Sequence, residues 1–378
     1  MKNISRRDFL RGCLACGLCA GGWTVAAAQA GKPQRMDVQK LQEAAFWQPL
    51  ADGRTKCTTC PNECESTEGG VTRCNTRINR GGKLYSLTYG YPCVIYTDAL
   101  EKNPLYHVAP GSSAVATATA GCNLICTYCQ NWDISQVGPS KTRNMELAPE
   151  DLVRQVVDRN LKWLTFSYTE PVAYLEYALA AAKIARSRNV KVAVVTAAYI
   201  NPKPLERLIE AADAFSVTLK GYDDDFYRNV CGARLERVWE AIKTISRAKK
   251  WMEIVTLIVP GLNDRADGLR QLAGAIARLD QNIPLHYLRF SPAYKLKHLP
   301  ATPVKTLENA GENAGKEGLK YVYLSNLPGH AAANTYCPAC AKVLVERIGF
   351  KILKNNIQGN RCPFCRQTIP GLWHPDQN

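Results

Sequence analysis

Eleven cysteines in three tight groups constrain this 378-residue chain more than any other feature. They are Cys57, Cys60, Cys64 and Cys74; Cys122, Cys126 and Cys129; and Cys337, Cys340, Cys362 and Cys365. Short C-x2-C and C-x3-C spacings let neighbouring sulfurs converge on one ion or cluster, which favours metal ligation over disulfides. Cys93 and Cys231 stand alone and read as buried free thiols. With 46% hydrophobic and 21% charged residues, the chain can build one large α/β domain with small additions at its ends.

The formal net charge is +15. Lys2, Arg6, Arg7 and Arg11 against Asp8 supply +3 of it within the first thirty residues, leaving +12 for the rest. Such an excess suits nucleic acid, acidic lipid headgroups or an acidic protein partner. Metal-bound cysteines are thiolates, however, and eleven of them would cancel most of it. Charge therefore carries little weight.

The segment Ser5-Arg6-Arg7-Asp8-Phe9-Leu10-Arg11 resembles a twin-arginine signal. A weakly polar stretch follows, and Ala28-Gln29-Ala30 offers a small-x-small cleavage site. Residues 1–30 are thus expected to act as an export signal towards the periplasm or cell envelope; an unused signal would leave the protein cytoplasmic. That route carries folded proteins, which suits a cofactor loaded beforehand. No other candidate transmembrane span is present in the sequence. Cys13, Cys16 and Cys19 have ferredoxin-like spacing, but they sit in the apolar part of the signal and lack a fourth cysteine followed by proline. They are not expected to hold a cluster.

Residues 31–112 read as a linker with a short helix over 31–56 and then a Cys- and Gly-rich module. From 113 to 330 short apolar β-rich runs alternate with longer helical patterns. Candidate strands are 114–119, 163–168, 191–196, 214–219, 252–259, 285–290 and 320–325. Candidate helices lie near 149–159, 171–187, 203–212, 234–248, 265–279 and 304–317. This alternation implies parallel β-α units with right-handed crossovers. Six or seven units are too few for a closed eight-strand barrel, so a partial barrel of (β/α)6 type is expected, with a flat doubly wound sheet as the competitor. Residues 331–378 pair C-x2-C with C-x2-C across 21 residues, the pattern of two zinc-ribbon knuckles.

The central motif is Gly121-Cys122-Asn123-Leu124-Ile125-Cys126-Thr127-Tyr128-Cys129-Gln130-Asn131-Trp132, directly after the first barrel-like strand. Its C-x3-C-x2-C spacing, with an aromatic before the third cysteine, resembles the signature of the radical S-adenosylmethionine (SAM) superfamily. The bland alternative is a three-cysteine zinc site or a disulfide with a spare thiol. The resemblance implies a [4Fe–4S] cluster whose fourth iron stays free for SAM. Cleavage of SAM then gives methionine and a 5′-deoxyadenosyl radical that abstracts hydrogen, with a low-potential electron donor as partner. Tyr128 is expected near the adenine edge.

Other residues that close candidate strands are suitable for holding SAM. Tyr168-Thr169-Glu170 resembles the segment that contacts the amino group of SAM, with Glu170 as anchor; a helix cap is its structural alternative. Thr196 and Lys220 end the third and fourth candidate strands; Lys220 is a candidate to pair with the SAM carboxylate, with a solvated lysine as the equal alternative. Asn263, in Pro260-Gly261-Leu262-Asn263-Asp264, is a candidate for the ribose or merely a turn residue. His286 on the sixth candidate strand is a further candidate, although a lone histidine is more often structural.

Most of the chain, from Cys57 to Trp373, resembles the AmmeMemoRadiSam-system branch of that superfamily, relatives of the pyruvate formate-lyase activating enzymes. The resemblance rests on Cys57-x2-Cys60-Pro61, Glu101-Lys102-x-Pro104-Leu105-Tyr106-His107, Cys129-Gln130-Asn131-Trp132, Tyr168-Thr169-Glu170-Pro171, Pro260-Gly261-Leu262-Asn263-Asp264 and Ile369-Pro370-Gly371-Leu372-Trp373. It implies a partial barrel, a [4Fe–4S] cluster and SAM, but no known substrate; the two extra cysteine modules, taken with the likeness to activating enzymes, point to a protein or peptide substrate. Two departures stand out. Thr196-Ala197-Ala198-Tyr199 replaces an expected Thr-Asn-Gly-Tyr, and Thr218-Leu219-Lys220 replaces Asp-Leu-Lys. They motivate an alternative: an iron–sulfur or zinc scaffold, or electron-transfer protein, that has lost radical chemistry.

Cys57, Cys60, Cys64 and Cys74 are expected to hold zinc or an auxiliary cluster, a structural metal being the preferred reading. Cys337, Cys340, Cys362 and Cys365 are expected to hold zinc. The ribbon's Arg347, Lys351, Lys354, Arg361, Phe364 and Arg366 have no stacking motif around them, so no nucleic-acid partner is expected.

Overall fold

Seven runs rich in β-branched and small apolar residues become the parallel strands of one eight-stranded sheet. The computed structural model describes residues 41–373. The signal-like segment, with Cys13, Cys16 and Cys19, lies outside the described residues. In chain order the strands are β1 (Val94–Ala99), β2 (Ser113–Ala118), β3 (Trp163–Phe166), β4 (Lys191–Thr196), β5 (Ala214–Thr218), β6 (Trp251–Ile258), β7 (Leu285–Arg289) and β8 (Val322–Ser325). Each pairs with the next. From β2 to β8 the pairing is parallel; β1 is antiparallel to β2. β2 and β3 are buried almost along their whole length, as expected of parallel strands covered on both faces.

Six helices connect the parallel strands: α1 (Pro149–Asp158), α2 (Leu175–Ser187), α3 (Pro202–Ala211), α4 (Leu235–Arg247), α5 (Ala266–Leu279) and α6 (Val304–Lys316). Local sequence sets their starts. Pro149 and Pro202 stand in the first turns of α1 and α3, where a missing N–H costs nothing, and Glu150 and Asp151 meet the positive end of α1. Each helix buries an apolar stripe at helical spacing, such as Val238, Ala241, Ile242 and Ile245 on α4. The fold is thus a partial (β/α) barrel, and the flat doubly wound alternative is set aside because the segment joining β1 and β2 reaches round to β8 at the far edge of the sheet. Tyr106, between β1 and β2, lies with its hydroxyl 3.3 Å from Ser325 Oγ on β8. The neighbouring His107 Nε2 lies 2.6 Å from the Tyr323 hydroxyl on β8.

Two features differ from expectation. The sheet starts at β1, before residue 113; an edge strand that is half exposed carries too weak an apolar signal to read. The described part of 31–56 holds short strands (Gln42–Glu43, Trp47–Pro49, Thr55–Cys57) and one 3-10 turn, Ala51–Gly53. These belong to two small three-stranded sheets that carry the first cysteine group. At the other end, Thr335–Tyr336, Val343–Ile348 and Lys351–Asn355 form an antiparallel sheet beside the last four cysteines. No helix among the described residues is long and apolar enough to cross a membrane.

Candidate active site

The loop after β2 is shaped by Gly121. Its φ is +91°, and a Cβ there would lie 2.3 Å from the Cys74 carbonyl oxygen and from Thr76 Cγ2. Only glycine fits between the barrel and the N-terminal module. The loop that follows is clamped from outside: Ile125 N donates to Cys231 O at 2.9 Å, and Thr127 N to Val230 O at 3.1 Å. Those acceptors belong to a π-helical turn, Tyr227–Cys231, a local irregularity of the kind found at functional sites.

Cys122, Cys126 and Cys129 line one cavity of about 430 Å³ at the carboxyl ends of the strands, with Tyr128, Glu170, Thr196 and Lys220. Glu170 is 5% exposed. It accepts from Thr196 Oγ1 at 2.5 Å and from Ala197 N at 2.7 Å. Burial still pushes its carboxyl above the ordinary range. Burial opposes the charge of Lys220, yet the thiols around it, Cys126 first, hold its ammonium above the usual pKa. The lysine also stands 5.9 Å over the ring of Tyr128. Cys126 is drawn down to about 6, first by a hydrogen bond from the Cys231 thiol and then by the charge of Lys220. Burial, reinforced by the charge of Glu170, pushes Cys122 far up.

Several sequence candidates gather here, but not all in the expected role. Tyr168 and Thr169 line the cavity. The Tyr168 phenol, however, bonds to Asp98 and accepts from Lys102 Nζ at 2.8 Å, bracing the rim against β1. Thr169 Oγ1 donates to Thr119 O at 2.8 Å. Two candidates lie elsewhere. Asn263 is absent from the cavity wall. Its amide donates to Lys220 O at 2.7 Å and Leu257 O at 2.9 Å, and its oxygen accepts from Val259 N at 2.6 Å. It holds the turn that presents Lys220. His286 sits near the amino end of β7, fully buried, 2.8 Å from Glu253 Oε2. That carboxylate also accepts from Tyr106 N and His107 N, so His286 is part of the scaffold.

Cys231 is the buried free thiol expected from the sequence, but its place beside the motif had no sequence signal: it faces Cys126 and the Tyr128 hydroxyl, the latter at 3.7 Å. Sequence reasoning missed Ser216, whose buried hydroxyl lines the cavity without a hydrogen-bond partner, and Phe350, which reaches the wall from the C-terminal hairpin. Only the period-2 alternation along β5 hints at Ser216. Nothing local hints at Phe350.

The C-terminal cysteines come together tightly. Cys337 and Cys365 sulfurs are 3.5 Å apart, Cys340 and Cys362 3.7 Å, and all four lie within 4.8 Å of one another. Ligands at about 2.3 Å from one tetrahedral ion stand about 3.8 Å apart, so the four sulfurs have the spacing that a single ion requires.

The sequence model described as "Radical SAM superfamily" matches residues 117–273. An uncharacterized protein of Methanocaldococcus jannaschii is 40% identical over 332 residues, covering 87% of this chain and 99% of that protein. A pyruvate formate-lyase-activating enzyme of Clostridium pasteurianum is 26% identical over 200 residues, 48% of this chain and 81% of the relative. An isethionate sulfite-lyase activating enzyme of Oleidesulfovibrio alaskensis is 27% identical over 232 residues, 60% of this chain and 74% of the relative. With the three cysteines of the motif on a cavity at the mouth of a partial barrel, the chain belongs to the radical SAM superfamily and is a radical SAM enzyme related to activating enzymes.

Proposed function

We propose that the cavity holds a [4Fe–4S] cluster on Cys122, Cys126 and Cys129 together with SAM, and that the hydrogen it removes comes from a protein or peptide. One observation carries this reading: three cysteines, a buried carboxylate and an ammonium share a single cavity. The residues fit the groups. Unlike the C-terminal four, the three sulfurs do not all gather within 4.8 Å, and sulfurs on different irons of a cubane stand further apart than sulfurs on one ion. Glu170 suits the ammonium of SAM, Lys220 its carboxylate, and Ser216 has a spare hydroxyl for a polar group deep in the cavity. When bound, the cluster supplies the electron that splits the sulfonium C–S bond to methionine and a 5′-deoxyadenosyl radical.

The chain's own part is positioning. Thr196 and Ala197 fix the Glu170 carboxylate. Asn263 fixes the Lys220 backbone by donating to its carbonyl, and the Tyr227 hydroxyl oxygen accepts from Lys220 N at 2.9 Å. The largely apolar strand residues Val195, Val255, Leu257 and Leu288 form the wall that keeps bulk water from the reacting carbon. Thr218 stands where a carboxylate was expected, so the cavity carries one negative charge fewer.

A macromolecular substrate is supported by two relatives named for activating other enzymes. Phe350, 44% exposed, adds an apolar contact at the wall. Zinc is the proposed occupant of the C-terminal four-cysteine site. Incubation with SAM, a strong reductant and a protein fraction from deuterated cells should place deuterium in 5′-deoxyadenosine. Deuterium arriving from the small-metabolite fraction alone would reject a protein substrate.

A further inference from the structure

Cys57, Cys60, Cys64 and Cys74 line one small cavity together with Asn123 and Arg77. Three of the cysteines are at most 7% exposed. The group differs from the C-terminal four in one decisive way. Among the described residues, the C-terminal sulfurs meet within 4.8 Å, whereas the N-terminal four do not gather so tightly. Four sulfurs that line one cavity but spread more widely than a single tetrahedral ion allows have the spacing of a larger occupant.

Polar groups stand around the sulfurs. The Thr72 hydroxyl lies 3.2 Å from Cys74 Sγ; the Thr76 hydroxyl, 3.0 Å from it, gives its hydrogen to Ala173 O, and the buried Arg77 guanidinium, paired with Glu176 at 2.9 Å, has Nη1 4.0 Å from the same sulfur. Polar hydrogens directed at cysteine sulfur, here those of Thr72 and Arg77, stabilise and tune iron–sulfur clusters. The site also abuts the catalytic loop on both sides of Cys122. The Cys74 carbonyl packs on Gly121, and the Asn123 side chain lines the cavity, its Oδ1 buried and without a partner.

We infer that Cys57, Cys60, Cys64 and Cys74 hold a second [4Fe–4S] cluster. Four thiolates cap all four irons, so this cluster has no vacant corner and does not bind SAM. The inference is independent of the occupant proposed for Cys122, Cys126 and Cys129.

The test is iron, acid-labile sulfide and zinc per chain in the anaerobically reconstituted full-length protein and in a Cys122→Ala/Cys126→Ala/Cys129→Ala variant. The parent should hold about eight irons and the variant about four, with matching sulfide. The reduced variant should give an electron paramagnetic resonance signal that SAM leaves unchanged. Zinc without iron or sulfide in the folded variant would overturn the inference. Should the triple variant not fold, Cys57→Ser/Cys64→Ser in the parent gives the reciprocal test. Its iron should fall by about half while the SAM-sensitive signal stays; unchanged iron would overturn the inference. A parent whose signal ignores SAM, beside a triple variant that keeps its iron, would reject the active-site reading and leave this one standing.

Discussion

Ala198 has φ +54°, in the left-handed region where a Cβ costs about 1–2 kcal/mol. It occupies the position at which the resembling sequences carry glycine. The backbone keeps that conformation because Ala198 N donates to Thr196 Oγ1, the hydroxyl that braces Glu170. Ala198→Gly should therefore raise stability by about 1 kcal/mol, the relieved strain less the added freedom of the unfolded chain. Thermal unfolding under anaerobic conditions would show it, and an unchanged or lower midpoint would refute the strain argument. Lys220 yields a functional prediction. A hydrogen bond to a charged group is worth about 1.5–3 kcal/mol, so Lys220→Met should raise the KM for SAM about 10- to 100-fold. A KM within a factor of about two of the parent would remove Lys220 from the binding site. At this scale the sequence was informative about type and less so about aim. Cysteine spacing and strand-end position marked Cys122, Cys126, Cys129, Glu170 and Lys220. Asn263 and His286 also stand on strands or turns of the barrel, but which way each side chain points depends on register and on partners distant in the chain.

The segment Tyr106-His107, the strand β6 and the C-terminal hairpin are tied by a buried polar network. Glu253 accepts from both backbone N–H groups of the segment and from His286. His107 bonds to Tyr323 on β8 and to Pro370 O in the C-terminal module. Arg347 donates to Tyr106 O at 2.9 Å and stacks over that ring. Burial holds the His107 imidazole down to about 4. Between that value and the ordinary pKa of about 6.5 the unfolded chain carries a proton that the folded chain does not, so acidification through this window favours unfolding. From pH 7.5 to pH 5 the loss assigned to His107 is about 2 kcal/mol. Urea titrations at both pH values should show a loss that is larger by about 2 kcal/mol in the parent than in His107→Gln, which hydrogen-bonds without titrating. Equal losses in the two proteins would assign the effect elsewhere. The seven parallel strands and six helices were legible because periodicity and proline-marked helix starts act locally. β1 was not, since a half-exposed edge strand has no continuous apolar run. The meeting of Tyr106 with β8 was not, since contacts across more than two hundred residues have no local signal.

At the scale of the molecule, three cysteine groups serve one barrel. The C-terminal group sits in a module that bonds to the segment between β1 and β2, Arg347 to Tyr106 O and Pro370 O to His107, and sends Phe350 to the cavity wall. The N-terminal group backs the catalytic loop at Gly121. The central group opens on a cavity of about 430 Å³ at the strand ends, where parallel β-α architectures carry out chemistry. The central claim is that this cavity cleaves SAM at a cluster on Cys122, Cys126 and Cys129. Its most direct test is the yield of 5′-deoxyadenosine from anaerobically reconstituted protein given SAM and a strong reductant. The parent should form 5′-deoxyadenosine and methionine in equal amounts, and Cys126→Ala should form none. A parent that carries its full iron and sulfide yet forms no 5′-deoxyadenosine would contradict the claim.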